Sequence, residues 1–468
     1  MSIPESLVNA PMSVVEGMEI TTVKTEPIVS SSTFSRFQLS NVGVLSSDSV
    51  IQWSVHNVDP AGDGLCTFPI MTGAFSCIKD AVLKCDGQII ARMNDVGFYS
   101  TIDRLFRGQE IKELIDIPRI GSCDVFETNT AGTGLYQIKS ATYSGTDCAP
   151  KFSSLLVNST AVCPLFSVKL SDLFLFLKSK QLPLFAMPDV TVEISWNTQN
   201  TNEEGKIAIF DSTFGGTRDV FISPVNQLLL SDHYIYSHDQ MNETIKVMNS
   251  PNGLSLVYED IICIKNQTAA TADPGAGLIT TLVDNKRLGL AGKHVRALMI
   301  HDSLPGVANG LLGYYASYSP DIPSSVNFSI NDKTLLSRPL VSNTRKAIEL
   351  ANTRNRMFDT LPVIYSRDPI TDKTSVVRAK NQDVVTDDTF LKLSQKDSLQ
   401  AGCHVTGIDL SVLDLNVPGS GTLIGTKGID FQRTFYRTTA SRAAIDSRVY
   451  AIYERIFNLK SGLVSVSA

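Results

Sequence analysis

Histidines, cysteines and neighbouring carboxylates are where this 468-residue chain could carry acid–base, nucleophilic or metal chemistry. His301-Asp302-Ser303 holds the side-chain types of a hydrolytic triad. A triad, however, is assembled in space from separated residues, and no G-x-S-x-G elbow accompanies these three. His233 and His238 stand five apart in SDHYIYSHDQ. On a strand that offset puts them on opposite faces, so joint metal ligation needs a bend. Cys403-His404 is split the same way, and zinc sites usually draw on clustered ligands, which the six histidines, His56, His294 and His301 included, do not supply. Asp232 with Asp239, or Glu259 with Asp260, could be offered as a hydrolytic carboxylate pair, but adjacent carboxylates on a strand point apart. The run Gly419 to Gly428 resembles a phosphate loop, yet Thr426 separates Gly425 from Lys427 and a glycine follows the lysine. Gly275-Ala276-Gly277 lacks the third glycine of a dinucleotide site. The residues assign no catalytic, cofactor-binding or metal-ligating role, and no enzyme activity is expected.

Bulk properties narrow the class further. The chain carries a net charge of −6, 19% charged and 43% hydrophobic residues. That balance excludes a protein that coats nucleic acid through a broad basic face. A locally basic stretch from Lys333 to Arg356, with Arg338, Arg345 and Arg354, lacks the aromatic interleaving of single-strand binders and reads as a solvated face or subunit contact. The start has no basic and apolar leader pattern, so no secretory signal is expected. No apolar run is long enough for a transmembrane helix. Cys66, Cys77, Cys85, Cys123, Cys148, Cys163, Cys263 and Cys403 form no C-x-x-C pair and read as buried free thiols of a reducing compartment. The sequons at Asn158, Asn242, Asn266 and Asn327 are expected to stay unmodified.

The elements that would position any site are mostly strands. Pro164 to Trp196 is the most telling stretch. Leu170, Leu173, Phe174 and Leu177 fall at helical spacing, Pro183 and Pro188 bar a helix beyond them, and Val190, Val192, Ile194 and Trp196 then alternate as on a half-buried strand. Ile51, Trp53 and Val55 alternate likewise, as do Ile408, Leu410 and Val412, and RVYAIYERIF closes the chain with β-rich sequence. Asp86-Gly87 between apolar runs signals a hairpin. A helix should follow, capped by Asp95, with Phe98, Ile102, Leu105 and Phe106 on one face and Gly108 at its end. The second half carries a weakly similar unit: alternating Val326, Phe328 and Ile330, a turn at Asn331-Asp332, and a helix-prone run from Arg345 to Ala351.

This pattern predicts an all-β chain of two tandem modules: residues 1–34 an arm, 35–200 the first sandwich, 201–221 a polar linker, 222–460 the second sandwich and 461–468 a tail. The arm is either a flexible terminus or a segment ordered against neighbouring subunits. Polar stretches 266–277 and 352–400 read as projecting loops with tower or inter-subunit roles.

Pro164-Leu165, the Leu170 to Leu177 segment, Leu182-Pro183-Leu184, Val192-Glu193-Ile194 and the closing RVYAIYERIFNLKSGLVSV together resemble double jelly-roll major capsid proteins, with the polinton-like virus and virophage type the nearest in look. These motifs span about a tenth of the chain. The resemblance implies two eight-stranded antiparallel jelly rolls side by side, with short helices in the loops. It further implies a homotrimeric, pseudo-hexagonal capsomer tiling the icosahedral shell of a double-stranded DNA virus, in contact with neighbouring capsomers, penton and minor or cement proteins. Such a protein would be made and assembled inside the host cell and reside in the virion, with no cofactor and no sequence-specific nucleic-acid binding. A β-sandwich carbohydrate-binding or attachment module is the competing reading. It would need aromatic platforms on loops, whereas Trp53 and Trp196 both fall in alternating strands and read as core.

Overall fold

The computed structural model describes residues 18–58, 66–68, 72–105, 127–128, 136–137, 165–198, 207, 209–210, 219–270, 280–303, 323–341, 343–353, 363–367, 374–378, 405–411, 421–437 and 444–467. Eight strand paths build the first unit. They are β1 (Glu19–Thr25), β2 (Phe34–Gln38), β3 (Val44–Leu45 continuing as Val50–Val58), β4 (Ile78–Cys85), β5 (Gln88–Asn94), β6 (Leu165–Lys169), β7 (Val190–Trp196) and β8 (Asp219–Ile222 continuing as Leu228–Ile235). Eight more build the second: β9 (Leu254–Thr268), β10 (Thr280–Leu288), β11 (His294–Ser303), β12 (Ser325–Ile330), β13 (Lys333–Thr334), β14 (Val405–Asp409 continuing as Thr422–Leu423), β15 (Ile429–Arg437) and β16 (Ile445–Lys460). A short strand, Val29–Ser30, edges β2, and β17 (Leu463–Ser467) edges β16.

The pairing order is the same in both units. In the first, the sheets run β1-β8-β3-β6 and β2-β7-β4-β5; in the second, β9-β16-β11-β14 and β10-β15-β12-β13. Numbered within a unit, each is 1-8-3-6 against 2-7-4-5, the strand order of a jelly roll. The pairs are antiparallel throughout. Both halves also repeat one local device. β4 and β5 turn at Asp86 and Gly87, with φ 47° and 76°, and β12 and β13 turn at Asn331 and Asp332, with φ 52° and 65°. Two successive left-handed residues are what a two-residue hairpin turn needs, which explains Asp, Asn and Gly there. Each hairpin is followed by a helix, α1 (Val96–Leu105) in the first unit and α5 (Asn343–Asn352) in the second.

Packing in the first unit follows the alternation. Ile51, Trp53 and Val55 on β3 are fully buried and meet Val192, Ile194 and Trp196 from the opposing sheet. The Trp53 and Trp196 ring centroids lie 5.2 Å apart, and Trp196 Nε1 donates to Ser35 Oγ at 2.5 Å. Trp196 thus supplies large buried area while its N–H finds a partner. Glu193 is the one buried carboxylate of β7; Arg36 on β2 and Lys84 on β4 grip it from both sides at 2.7 and 2.6 Å. The second unit's core centres on Phe328, Phe431, Leu298, Ile300 and Val449.

β9 and β16 pair over fifteen positions, from Leu254↔Leu459 to Thr268↔Ile445. That ribbon is roughly 50 Å long at 3.3 Å per residue, about three times an ordinary strand. Ile262, Ile264, Val449 and Ala451 face the second core, whereas Leu254, Leu256, Tyr258, Phe457 and Leu459 join the first unit's cluster. One ribbon thus belongs to both cores.

Several expectations change. The helical segment is two short helices, α2 (Leu170–Leu173) and α3 (Leu175–Ser179), broken by extended backbone at Phe174. All four apolar residues are still buried. α1 starts as expected, but Asp95 accepts from Phe98 and Tyr99 N–H through its backbone oxygen, since its carboxylate is engaged elsewhere. Phe106 and Gly108 lie outside the described residues. The arm 1–34 is in part sheet: β1 pairs with β8 from Glu19↔Ile235 to Thr25↔Leu229. The linker 201–221 ends in strand, because Asp219–Ile222 pairs with β3 and carries on as β8. The hydrogen-bonded sheets therefore divide between Ile235 and Leu254, across the helix α4 (His238–Met248), and not at the polar composition shift. The tail 461–468 holds β17. Within the stretches read as loops, Asn266–Thr268 belongs to β9, and Val363–Arg367 pairs with Thr374–Arg378. Residues 271–277 and most of 354–400 lie outside the described residues.

Candidate functional site

The candidate chemical residues are dispersed into structural roles. His233 is fully buried, with Nδ1 2.7 Å from Val42 O and Nε2 2.8 Å from Ser231 Oγ. Burial lowers its pKa against the opposing pull of the Val42 carbonyl. His238 opens α4 instead of joining it. Asp232 accepts from Thr22 Oγ1, and Asp239 sits in the first turn of α4. Glu259 pairs with Arg296 while Asp260 pairs with Arg455, so these neighbours do point apart. His301 stacks edge-on against Phe98 at 5.4 Å, Asp302 binds Arg433 and Ser447, and Ser303 accepts from Arg448. The three consecutive residues are drawn to separate partners: Phe98, Arg433, Ser447 and Arg448 engage them. Among the described residues no cluster of three or more His, Cys, Asp or Glu could hold a metal.

Cys77, Cys85 and Cys263 are free thiols whose pKa burial pushes up to about 12. Gly425 to Gly428 turn the chain between β14 and β15, and Lys427 is tied to Asp332, not presented to a phosphate. Cys403, His404, Gly275 to Gly277, Gly419, Arg354, Arg356 and the side chain of His56 lie outside the described residues. Among the described residues no helix is long and apolar enough to cross a membrane.

Besides the Glu193 site, three clusters of buried charge stand out among the described residues. Inside the second unit, Arg433 is 1% exposed and reaches Asp302 Oδ1 at 2.5 Å and Asp284 Oδ2 at 2.6 Å, with Phe431 and Phe435 rings beside it. These groups come from β10, β11 and β15, so the cluster bolts the two sheets together. Burial alone would raise the Asp284 carboxyl; the Arg433 guanidinium and the Thr268 hydroxyl hold it below its ordinary value. The other two clusters join the units. At the start of α1, Asp95 Oδ2 takes Lys265 Nζ at 2.7 Å and Arg448 Nε at 3.2 Å. The Arg448 guanidinium lies 3.5 Å from the Phe98 ring centroid, and Tyr450 OH donates to Asp95 O at 2.9 Å.

The third cluster exploits an irregularity. Leu83 pairs with Ala91 and Lys84 with Ile89, which leaves Ile90 as the extra residue of a β-bulge. Its carbonyl accepts Tyr258 OH at 2.5 Å and Arg455 Nη1 at 3.0 Å from the second unit. Arg455 Nη1 also binds Asp260 Oδ2 at 2.8 Å. Burial raises the Asp260 pKa, with Arg455 and the Ile261 and Arg92 backbone N–H groups opposing. Sequence reading weighed Asp260 only as a possible catalyst and singled out neither Ile90 nor Arg455. A bulge leaves no residue signature there, and the partners are more than 160 positions apart.

No protein-family model matches this chain. No curated protein matches it by sequence. Solved structures do match along nearly its whole length. A capsid chain of the virus PBCV-1 aligns with TM-score 0.57 and 13% identity over 98% of each chain. A chain of the Sputnik virophage, solved by cryo-EM, aligns with TM-score 0.56 and 13% identity over 100% of this chain and 92% of that one. The mavirus major capsid protein aligns with TM-score 0.52 and 11% identity over 100% and 91%. Strand order, the two fused sandwiches and full-length superposition agree: this chain has the double jelly-roll fold of viral major capsid proteins.

Proposed function

We propose that this protein is a structural shell subunit, a major capsid protein whose activity is its shape. The observation that carries the reading is the pair of jelly rolls with identical strand order, fused by a shared ribbon and two buried polar clusters. Such a body presents two similar wedges at a fixed mutual angle, so three copies would close a ring of six by heterologous contacts. Large apolar side chains remain in water on the single chain: Val225 at 85%, Leu463 at 72%, Leu165 at 60% and Ile28 at 60% exposed. Isolated cases are normal on any surface, but several on one chain suit burial by copies of itself. The finer reading is a homotrimeric, pseudo-hexagonal capsomer in the icosahedral shell of a double-stranded DNA virus, flanked by other capsomers and by penton and minor proteins. No residue constellation described above supports turnover. Nor does the attachment-module alternative gain support, since Trp53 and Trp196 stack inside the core.

Light scattering on purified protein, with negative-stain microscopy, tests the proposal. Particles of three subunits with pseudo-hexagonal outline are expected. A strict monomer at all concentrations, particularly one that binds glycans, would contradict it.

A further inference from the structure

β1 ends the sheet β1-β8-β3-β6, yet none of its seven residues is buried. Among the described residues it pairs with β8 alone, and two side-chain contacts support the ladder: Thr22 Oγ1 donates to Asp232 Oδ1 at 2.6 Å, and Ser231 Oγ lies 3.3 Å from Val23 O. Strands open at low cost where few apolar contacts are lost and the hydrogen bonds lie near solvent. The strand below it is different. Leu229, Ser231 and His233 of β8 are fully buried, and they stand opposite Thr25, Val23 and Thr21 of β1. His233 has Thr21 on one side and Leu45 on the other. Its Nδ1–H donates to Val42 O at 2.7 Å, because a carbonyl can only accept, and its Nε2 then accepts from Ser231 Oγ at 2.8 Å. That is the bonding of a neutral imidazole held under an edge strand.

We propose that β1 is a releasable strap, a strand that parts from β8 when His233 takes up a proton. With the strap closed, the proton creates an imidazolium shielded from water. Ser231 can turn its own proton to Val23 O and accept from Nε2, but no described carboxylate pairs with the ring. With the strap lifted, the Thr21 side of the ring meets solvent. Burial lowers the His233 pKa, so closure is favoured while the ring is neutral and loses ground as pH falls below the ordinary imidazole value. Of the ionisable groups on the strands beside it, Glu19 and Lys24 are exposed on β1, opposite Ile235 and Leu230. Residues 40–45 carry none. On β8, Tyr234 OH accepts from Ser46 Oγ, and Asp232 is the residue whose charge acts on the ring, against the effect of burial. The strap belongs to a single chain and stands apart from the shell-subunit reading.

The test is amide hydrogen exchange of the full chain, read by mass spectrometry and corrected for the intrinsic effect of pH. Residues 19–25 report the strap, and 190–196 on β7 report the body of the first unit. Above pH 7 the protection of 19–25 should be constant. Below 6.5, the ordinary imidazole value, it should fall, by about tenfold for each unit by which closure depresses the His233 pKa. Protection of 190–196 should hold steady. His233→Gln, which stays neutral, should abolish the fall, with circular dichroism confirming that the variant is folded. Exchange at the C2 position of His233, measured in the unaltered protein, should titrate over the same pH range as the strap opens, and it decides the matter whatever the variant does. Protection of 19–25 that is unchanged between pH 7.5 and 5, an equal loss at 190–196, a folded His233→Gln protein that keeps the fall, or a His233 that titrates outside the range of the fall would overturn the proposal.

Discussion

Replacing Arg455 with Met probes whether the two jelly rolls are one mechanical body. Arg455 is the cation between the Ile90 carbonyl of the first unit and the Asp260 carboxylate of the second, at 3.0 and 2.8 Å. The Asp260 side chain is 4% exposed, so the variant strands a buried carboxylate beside two backbone N–H groups and the Tyr453 hydroxyl. Removing one partner of such a pair costs about 3–5 kcal/mol. The pH dependence has a definite sign. Burial already raises the Asp260 pKa and Arg455 opposes the rise, so the variant raises it further. A carboxyl whose folded pKa is raised contributes stability below its unfolded pKa, about 4, and loses it as pH rises through the folded value. The deficit of the variant should therefore be largest near pH 7.5 and shrink toward pH 4. Adding Asp260→Asn should recover much of the loss at neutral pH.

Urea unfolding reads this directly. Both tryptophans of the chain, Trp53 and Trp196, lie in the first unit's core, so their fluorescence reports that unit while far-ultraviolet circular dichroism reports both. The two transitions should coincide in the natural protein and separate in the variant. A loss under about 1 kcal/mol, independent of pH and with coincident transitions, would refute the claim that this buried pair couples the units.

Further outcomes are expected elsewhere. Asp284, held below its ordinary pKa of 3.8 by Arg433, contributes stability above that value that is lost as pH falls through the depressed one; acid unfolding of Asp284→Asn, followed by circular dichroism, should accordingly be flatter below about pH 4. Gly407 lies under α5, where an added Cβ would stand 2.8 Å from Thr353 Cγ2 and 3.0 Å from the Leu350 backbone. Gly407→Val should cost about 1–3 kcal/mol in calorimetry by overpacking, and an unchanged melting curve would argue against that contact. Cys77, Cys85 and Cys263, with pKa values near 12, should resist a thiol-disulfide reagent at pH 8 until denaturant is added, as mass spectrometry of the labelled sites can verify.

Strand and turn chemistry was legible because it is local. Val190 to Trp196 alternates with period two, and the burial of that strand repeats the alternation apart from Glu193. Glu193 departs from it because Arg36 and Lys84 neutralise it from the flanking strands, and cross-strand neighbours are not visible along the chain. Asp86-Gly87 and Asn331-Asp332 announced their turns because few other residues tolerate two left-handed conformations in succession. The unit boundary was misplaced for the converse reason. A polar, glycine-dotted stretch after Asn197 resembles a linker, but the chain beyond it must return to fill the slot between β1 and β3 before the first sandwich is closed. Composition is blind to that requirement.

By itself, the order of residue types established an all-β chain in two similar halves, equipped with repeated hairpin-and-helix devices and lacking a spacing suited to catalysis or metal binding. These are properties of neighbours a few residues apart, and short-range sterics and solvent preference are enough to impose them. Tertiary structure decided the rest: that β1 and β8 complete the first unit, that one ribbon of β9 and β16 serves both cores, and that Asp95, Asp260, Arg448 and Arg455 hold the junction. The hydrogen bonds that tie Ile89, Ile90 and Asp95 to the second unit span from 168 to 366 positions. Only closure of the sandwiches brings such groups together, and only burial there makes their charges matter.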